Sequence, residues 1–148
     1  MKKIYLSLLL LLPALFLNAQ GPIKAWNDQL DDFIEVFNQI DPTLDQLYAQ
    51  KGIDSFAFTY FDPETGNVIK EATIFDSNAF NNVNDDLMAQ AKGIAVKHLS
   101  AAAKKNSRLN SILNEFAKRG TNIVLVYSAD FGGNNATKKV VITPNDLK

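Results

Sequence analysis

The sequence predicts an α+β fold: two layers, with a four-stranded, mainly antiparallel sheet packed against helices in the order ααββααββ. Three observations lead there. Residues 121–128 read Thr-Asn-Ile-Val-Leu-Val-Tyr-Ser, five consecutive apolar residues bounded by turn residues. That describes a strand with apolar side chains on both faces, which belongs in the middle of a sheet. Three other short stretches, 53–61, 68–75 and 137–143, are rich in β-branched or aromatic residues and bounded by Gly, Pro, Asn and Asp, the pattern of paired strands. Each of the two hairpins so formed is preceded by two stretches with the spacing of amphipathic helices.

The first nineteen residues form an address. Lys2 and Lys3 precede an apolar run over 4–17, and Leu17-Asn18-Ala19 puts a small residue where a signal peptidase cuts. Pro13 lies inside the run, and the run is shorter than the ~20 residues of a membrane span. Residues 1–19 are therefore expected to be a signal peptide and 20–148 a single α+β domain, exported to the periplasm or exterior and not embedded in a membrane after cleavage. The chain has no cysteine. Disulfides, thiolate metal sites, cysteine nucleophiles and a lipid-anchoring cysteine are all excluded, so the domain must hold together by its core.

Along the domain, apolar residues at 23, 26, 30, 33, 34 and 37 predict a helix over 22–40, with Asp28, Asp31, Asp32 and Glu35 on its other face. Asp41-Pro42 interrupts it. The residue before proline avoids the helical region while proline suits a helix start, so Asp41 is expected as the N-cap of a second helix ending at Gly52. Residues 53–61 alternate, with Phe56, Phe58 and Tyr60 on one face and Ala57, Thr59 and Phe61 on the other. The run 62–67, Asp-Pro-Glu-Thr-Gly-Asn, turns the chain into a return strand over 68–75.

A long helix is expected from about 78 to 105, its start able to slip to Asn84. Phe80, Val83, Leu87, Ala91, Ile94, His98 and Ala102 fall on one stripe. Asn106-Ser107 caps a further helix carrying Leu109, Ile112, Leu113 and Phe116, with Lys118 and Arg119 in its last turn and Gly120 as its stop. Asp130 to Asn135 then turns the organising strand into the last one, which Pro144 ends.

Sliding the second hairpin onto the first aligns Gly52 with Gly120, Asp62 with Asp130, Lys70 with Lys138 and Ile74 with Ile142. With the repeated element order, this admits an internal duplication. In layout alone, the chain resembles the β-lactamase inhibitory proteins, small secreted modules that stack helix-pair-and-sheet repeats and act by binding. No residue role is carried over from them.

Catalytic chemistry finds few footholds. His98 is the only histidine and sits mid-stripe, where a hydrogen-bonded core-edge role is the ordinary one. A hydrolase using His98 with a nearby Asp or Ser is the alternative function. The serines lack a Gly-x-Ser-x-Gly turn. Asp31, Asp32 and Glu35, and Asp85 with Asp86, occupy outer helix faces rather than facing one another across a cleft. The 62–67 run lacks the ligand spacing of a calcium loop, and Gly132-Gly133 lacks a following Gly-Lys-Ser/Thr. No metal site and no cofactor are expected.

Charge is unevenly placed. Residues 22–90 hold thirteen acidic residues against three lysines, and residues 91–148 hold ten basic against three acidic. The two halves either compensate within the fold or give a polar molecule suited to charged partners. Lys92, Lys97, Lys104, Lys105, Arg108, Lys118 and Arg119 make a solvated basic face, and a near-balanced chain is not expected to bind nucleic acid. Apolar content on both sheet faces is the most informative feature. If helices cover one face, Phe61 and Phe75 meet water, together with either Tyr127 and its face-mates or Val124 and Val126. Monomers seldom expose such a patch. Phe61, Phe75 and Tyr127 are therefore the candidate binding residues, for a second copy or another exported protein.

Overall fold

A computed structural model describes residues 21–148. The expected signal peptide lies outside them. The chain divides into two units at Asp32/Phe33. Within the first, residues 21–32 are helical, and Lys24 donates to Asp28 one turn on at 2.8 Å. Among the described residues no helix is long and apolar enough to cross a membrane.

The second unit, Phe33 onward, carries the sheet. The helical residues 21–38 (α1) end here, and α2 follows over Asp41–Gln50, α3 over Asp85–Lys105 and α4 over Ser107–Arg119. The strands are β1 (Ser55–Asp62), β2 (Asn67–Ile74), β3 (Ile123–Asp130) and β4 (Asn135–Ile142), and short 3-10 turns occupy Ser77–Asn82 and Pro144–Leu147. The class and element order match expectation.

The strands lie in sequence order across the sheet. β1/β2 and β3/β4 are antiparallel hairpins, and β2/β3 is a parallel pair. A parallel neighbour requires a long crossover, here the residues that build α3 and α4. β3 is thus interior, as its unbroken apolar run implied. Strand directions run up, down, down, up. A hairpin copied by translation would run up, down, up, down, and one copied by a half-turn about the sheet normal would put β3 outermost. The element order repeats, but neither operation superposes the hairpins.

Within this unit the described helices cover one face of the sheet. On that face Tyr127 meets Tyr48 of α2, Lys70 meets Phe37 and Asp41, and the Lys138 ammonium meets the carbonyls of Phe80 and Val83. Leu87, Ala91, Ala95 and Leu99 of α3 and Leu109, Ile112, Leu113 and Phe116 of α4 fill the core, and Phe33 packs on Phe116 with ring centroids 4.8 Å apart.

Local chemistry explains the ends. Asn106 caps α4 by accepting from the N–H groups of Arg108 and Leu109, and Gly120 closes it at φ +69°, a left-handed conformation that costs a side-chain-bearing residue energy. α3 starts late, with the Asn84 side chain accepting from Leu87 N–H, because Asp76 caps the preceding 3-10 turn instead. Asp41 is not the cap of α2. Ile40 holds that position without a side-chain bond, and the Asp41 carboxylate turns to Lys70.

Candidate functional site

The helix-free face of the sheet is a grid set by register. Phe56, Thr73, Ser128 and Thr137 lie across from one another in one row; Phe58, Glu71, Val126 and Lys139 form the next; Tyr60, Ile69, Val124 and Val141 form the third. Along β1 the three aromatic rings stack in sequence, with centroids 6.4 Å apart for Phe56–Phe58 and 5.3 Å for Phe58–Tyr60. Phe56 is 61% and Phe58 45% exposed. A ladder of aromatic side chains with this much free surface, beside a row of aliphatic ones, has the composition of a contact surface.

Glu71 sits at the centre of the grid. Its two carboxylate oxygens accept from Ser128 Oγ at 2.9 Å and from Tyr60 Oη at 3.3 Å. Burial, followed by the charge of Glu71 nearby, raises the Tyr60 phenol above its ordinary pKa, so it remains a donor. Thr73 Oγ1 and Ser128 Oγ are 3.5 Å apart, and a depression of about 290 Å³ opens here between Glu71, Ser128, Asp130, Asn135 and Thr137. β2 and β3 are interior strands, so their backbone N–H groups at this polar centre are spent in the ladders.

Of the residues singled out by sequence, Phe75 is 66% exposed, just beyond β2, with its N–H bonded to Asp54 O. Tyr127 is on the opposite face, only 1% exposed, with its hydroxyl 3.1 Å from that of Tyr48. Burial raises both phenols. Phe61 alternates onto that helix side too and is half-buried. The three do not form one surface. Where the sequence left two sets of β3 residues open, Val124 and Val126 take the helix-free face.

His98 lies at the margin of α3's buried stripe. The stripe follows every fourth residue from Leu87 to Leu99 and so winds around the helix, leaving His98 half-buried with Nε2 3.2 Å from Val36 O. Among the described residues that carbonyl is its hydrogen-bond partner, so no acid–base pair forms there. The described residues also contain no group of three or more His, Asp and Glu placed to hold a metal.

One site escaped sequence reasoning. Lys70, on the covered face of β2 and 3% exposed, donates to Asp41 Oδ1 at 2.6 Å and Asn38 Oδ1 at 2.9 Å, with its ammonium 4.9 Å from the Phe37 ring centroid. Thr59 Oγ1 donates to the same Asn38 oxygen at 2.6 Å. Burial pulls the lysine's pKa below its ordinary value, and Asp41 works against that. The cluster ties the end of α1, the start of α2 and two strands together. Its signal was a lysine alternating with Val68, Ala72 and Ile74.

Comparison with protein-family models, with curated proteins and with solved structures finds no match to this chain. The likeness in layout to β-lactamase inhibitory proteins therefore has no structural counterpart to support it.

Proposed function

We propose that this chain is an exported, non-enzymatic recognition domain that holds another exported protein against the helix-free face of its sheet. The observation that carries this is the outward row of Phe56, Phe58 and Tyr60 on the same face as Ile69 and Val141. Rings placed this way gain little for the fold, while covering them with a partner removes apolar surface from water at about 25 cal/mol per Å². Glu71, Ser128, Thr73 and Lys139 supply polar groups in the same patch, which orient a partner rather than merely adhere to it. Export itself rests on the composition of residues 1–19.

The test uses the immobilised chain to capture proteins from the exported fraction of its own cells. Phe56→Ser/Phe58→Ser should lose the captured protein and stay folded by circular dichroism, whereas a change far from the face, Lys97→Ala, should keep it. Equal capture by all three proteins removes the face from consideration. Cell fractionation with N-terminal sequencing tests export, with Gln20 as the expected first residue.

A further inference from the structure

We propose that Lys70 and Asn38 join through their side chains in an isopeptide bond, closed with loss of ammonia by the action of Asp41 and Thr59. Lys70 lies on the covered side of the sheet, so the bond neither needs the recognition face nor alters it.

Four groups with the required chemistry meet at one place. Lys70 Nζ, the nucleophile, is 2.9 Å from Asn38 Oδ1, and Asn38 supplies the acyl group. With a carbonyl bond of about 1.2 Å, the Asn38 carbon is within about 4 Å of that nitrogen. The last side-chain torsion of asparagine is broad, which lets the amide turn toward attack. Thr59 Oγ1 donates to the same oxygen at 2.6 Å, where negative charge develops when the carbonyl is attacked. Asp41 Oδ1, 2.6 Å from Lys70 Nζ, is placed to take a proton and return it.

The surroundings favour the uncharged amine from which attack starts. Lys70 is 3% exposed, and its ammonium lies 4.9 Å from the Phe37 ring centroid. Burial works against charge on this lysine, with Asp41 opposing. One proton moving from ammonium to carboxylate removes both charges together. The freed lone pair then forms the new C–N bond and pushes the carbonyl pair onto Oδ1, which Thr59 faces. Asp41 gives its proton to Asn38 Nδ2 and takes one from the new amide nitrogen. The old C–N bond breaks as the carbonyl re-forms. Ammonia leaves with the remaining proton as ammonium, and Asp41 is again a carboxylate. The balance needs no further reactant.

The fold gives such a bond a consequence. The chain has no cysteine, so a covalent staple has to come from other side chains. Asn38 ends α1 and Lys70 lies on the interior strand β2. The bond therefore closes residues 38–70 into a loop and restrains the unfolded chain as a disulfide would. Lys138 provides the contrast. Its ammonium also lies near a ring, 4.6 Å from the Phe80 centroid, but it donates to the main-chain carbonyls of Phe80 and Val83. Attack there would break the main chain, so Lys138 stays a free amine. At Lys70 the short bond to Asp41 keeps most molecules in the ion-pair form, and closure follows folding slowly. Until then Asp41 and Lys70 are an ordinary ion pair, whose stability effects are read on chain that intact mass shows to be open.

The test is intact mass and tryptic mapping of the chain as its cell produces it, and again after days folded at growth temperature. The mass should fall by one ammonia. Digestion should give a branched peptide joining 25–51 to 52–92, uncut after Lys70. An N-terminal Gln20 cyclises with the same loss, so the branched peptide decides. Lys70→Met and Asp41→Asn should not form it, and Thr59→Val should form it roughly a hundredfold more slowly. Wild-type chain that trypsin still cuts fully after Lys70 overturns the proposal, and that result needs no variant to fold. A branched peptide lighter by one water overturns it too, because Asp41 would then be the acyl donor. So does a branch at Lys138, or one that Asp41→Asn forms at the wild-type rate.

Discussion

Asp41→Ala removes the partner of Lys70, the one charged residue buried among the described residues. Lys70 is 3% exposed and Asp41 33%. Removing one partner of a fully buried ion pair costs about 3–5 kcal/mol, because the other charge is left uncompensated. Here Asn38 Oδ1 still accepts from the ammonium, and water reaches the partly open Asp41 side, so roughly 2–3 kcal/mol is expected. Lys70→Met behaves differently. It gives up the contact with the Phe37 ring, worth about 0.5–1 kcal/mol, but also the cost of burying a charge, and should change stability by about 1 kcal/mol or less in either direction. The double variant should be no worse than Lys70→Met alone. Alkaline pH gives a second readout. Burial holds the Lys70 pKa below 10.5 with Asp41 opposing. Between that lowered pKa and the unfolded value, the unfolded chain binds more protons than the folded one, so stability gains from this group as pH rises through the window. Loss of Asp41 lowers the folded pKa further and widens the window downward, so the deficit of Asp41→Ala relative to wild type should shrink as pH approaches 10.5. Urea titrations from neutral pH to that value measure both effects. An Asp41→Ala cost under about 0.5 kcal/mol at neutral pH, as for an exposed pair, or a Lys70→Met cost equal to it, refutes the reasoning.

Further expectations follow from local geometry and are checked by chemical denaturation. Gly120→Ala should destabilise by about 1–2 kcal/mol, since φ is +69° with open space around an added Cβ, whereas Gly93→Ala, in the interior of α3 and equally unobstructed, should stabilise by about 0.8–1 kcal/mol. Phe116→Ala should cost about 3–5 kcal/mol, because its 1% exposed ring packs on Phe33 at 4.8 Å and leaves a cavity. Tyr127→Phe should cost about 1–2 kcal/mol by stranding the Tyr48 hydroxyl, and Tyr48→Phe added to it should recover part of that loss.

Most of the fold was legible because its determinants are local. Asn106 and Gly120 delimit α4, the turn residues at 62–67 make a hairpin, and the run from Ile123 fixes an interior strand. Which face of each strand meets the helices was not legible, for a definite reason. β2 carries one charged residue on either side, Lys70 and Glu71, so hydropathy does not orient it. The choice is made by Lys70 finding Asp41, Asn38 and Phe37, all distant in sequence. Once β2 is oriented, register turns Phe56, Phe58 and Tyr60 outward on β1 and Tyr127 inward on β3. Their size had suggested the reverse for β1. His98 has the hydrogen-bonded, half-buried place expected of it but lies at the margin of the stripe and not in its middle, because a stripe stepping every four residues winds around α3 and its margin is not visible in a straight projection.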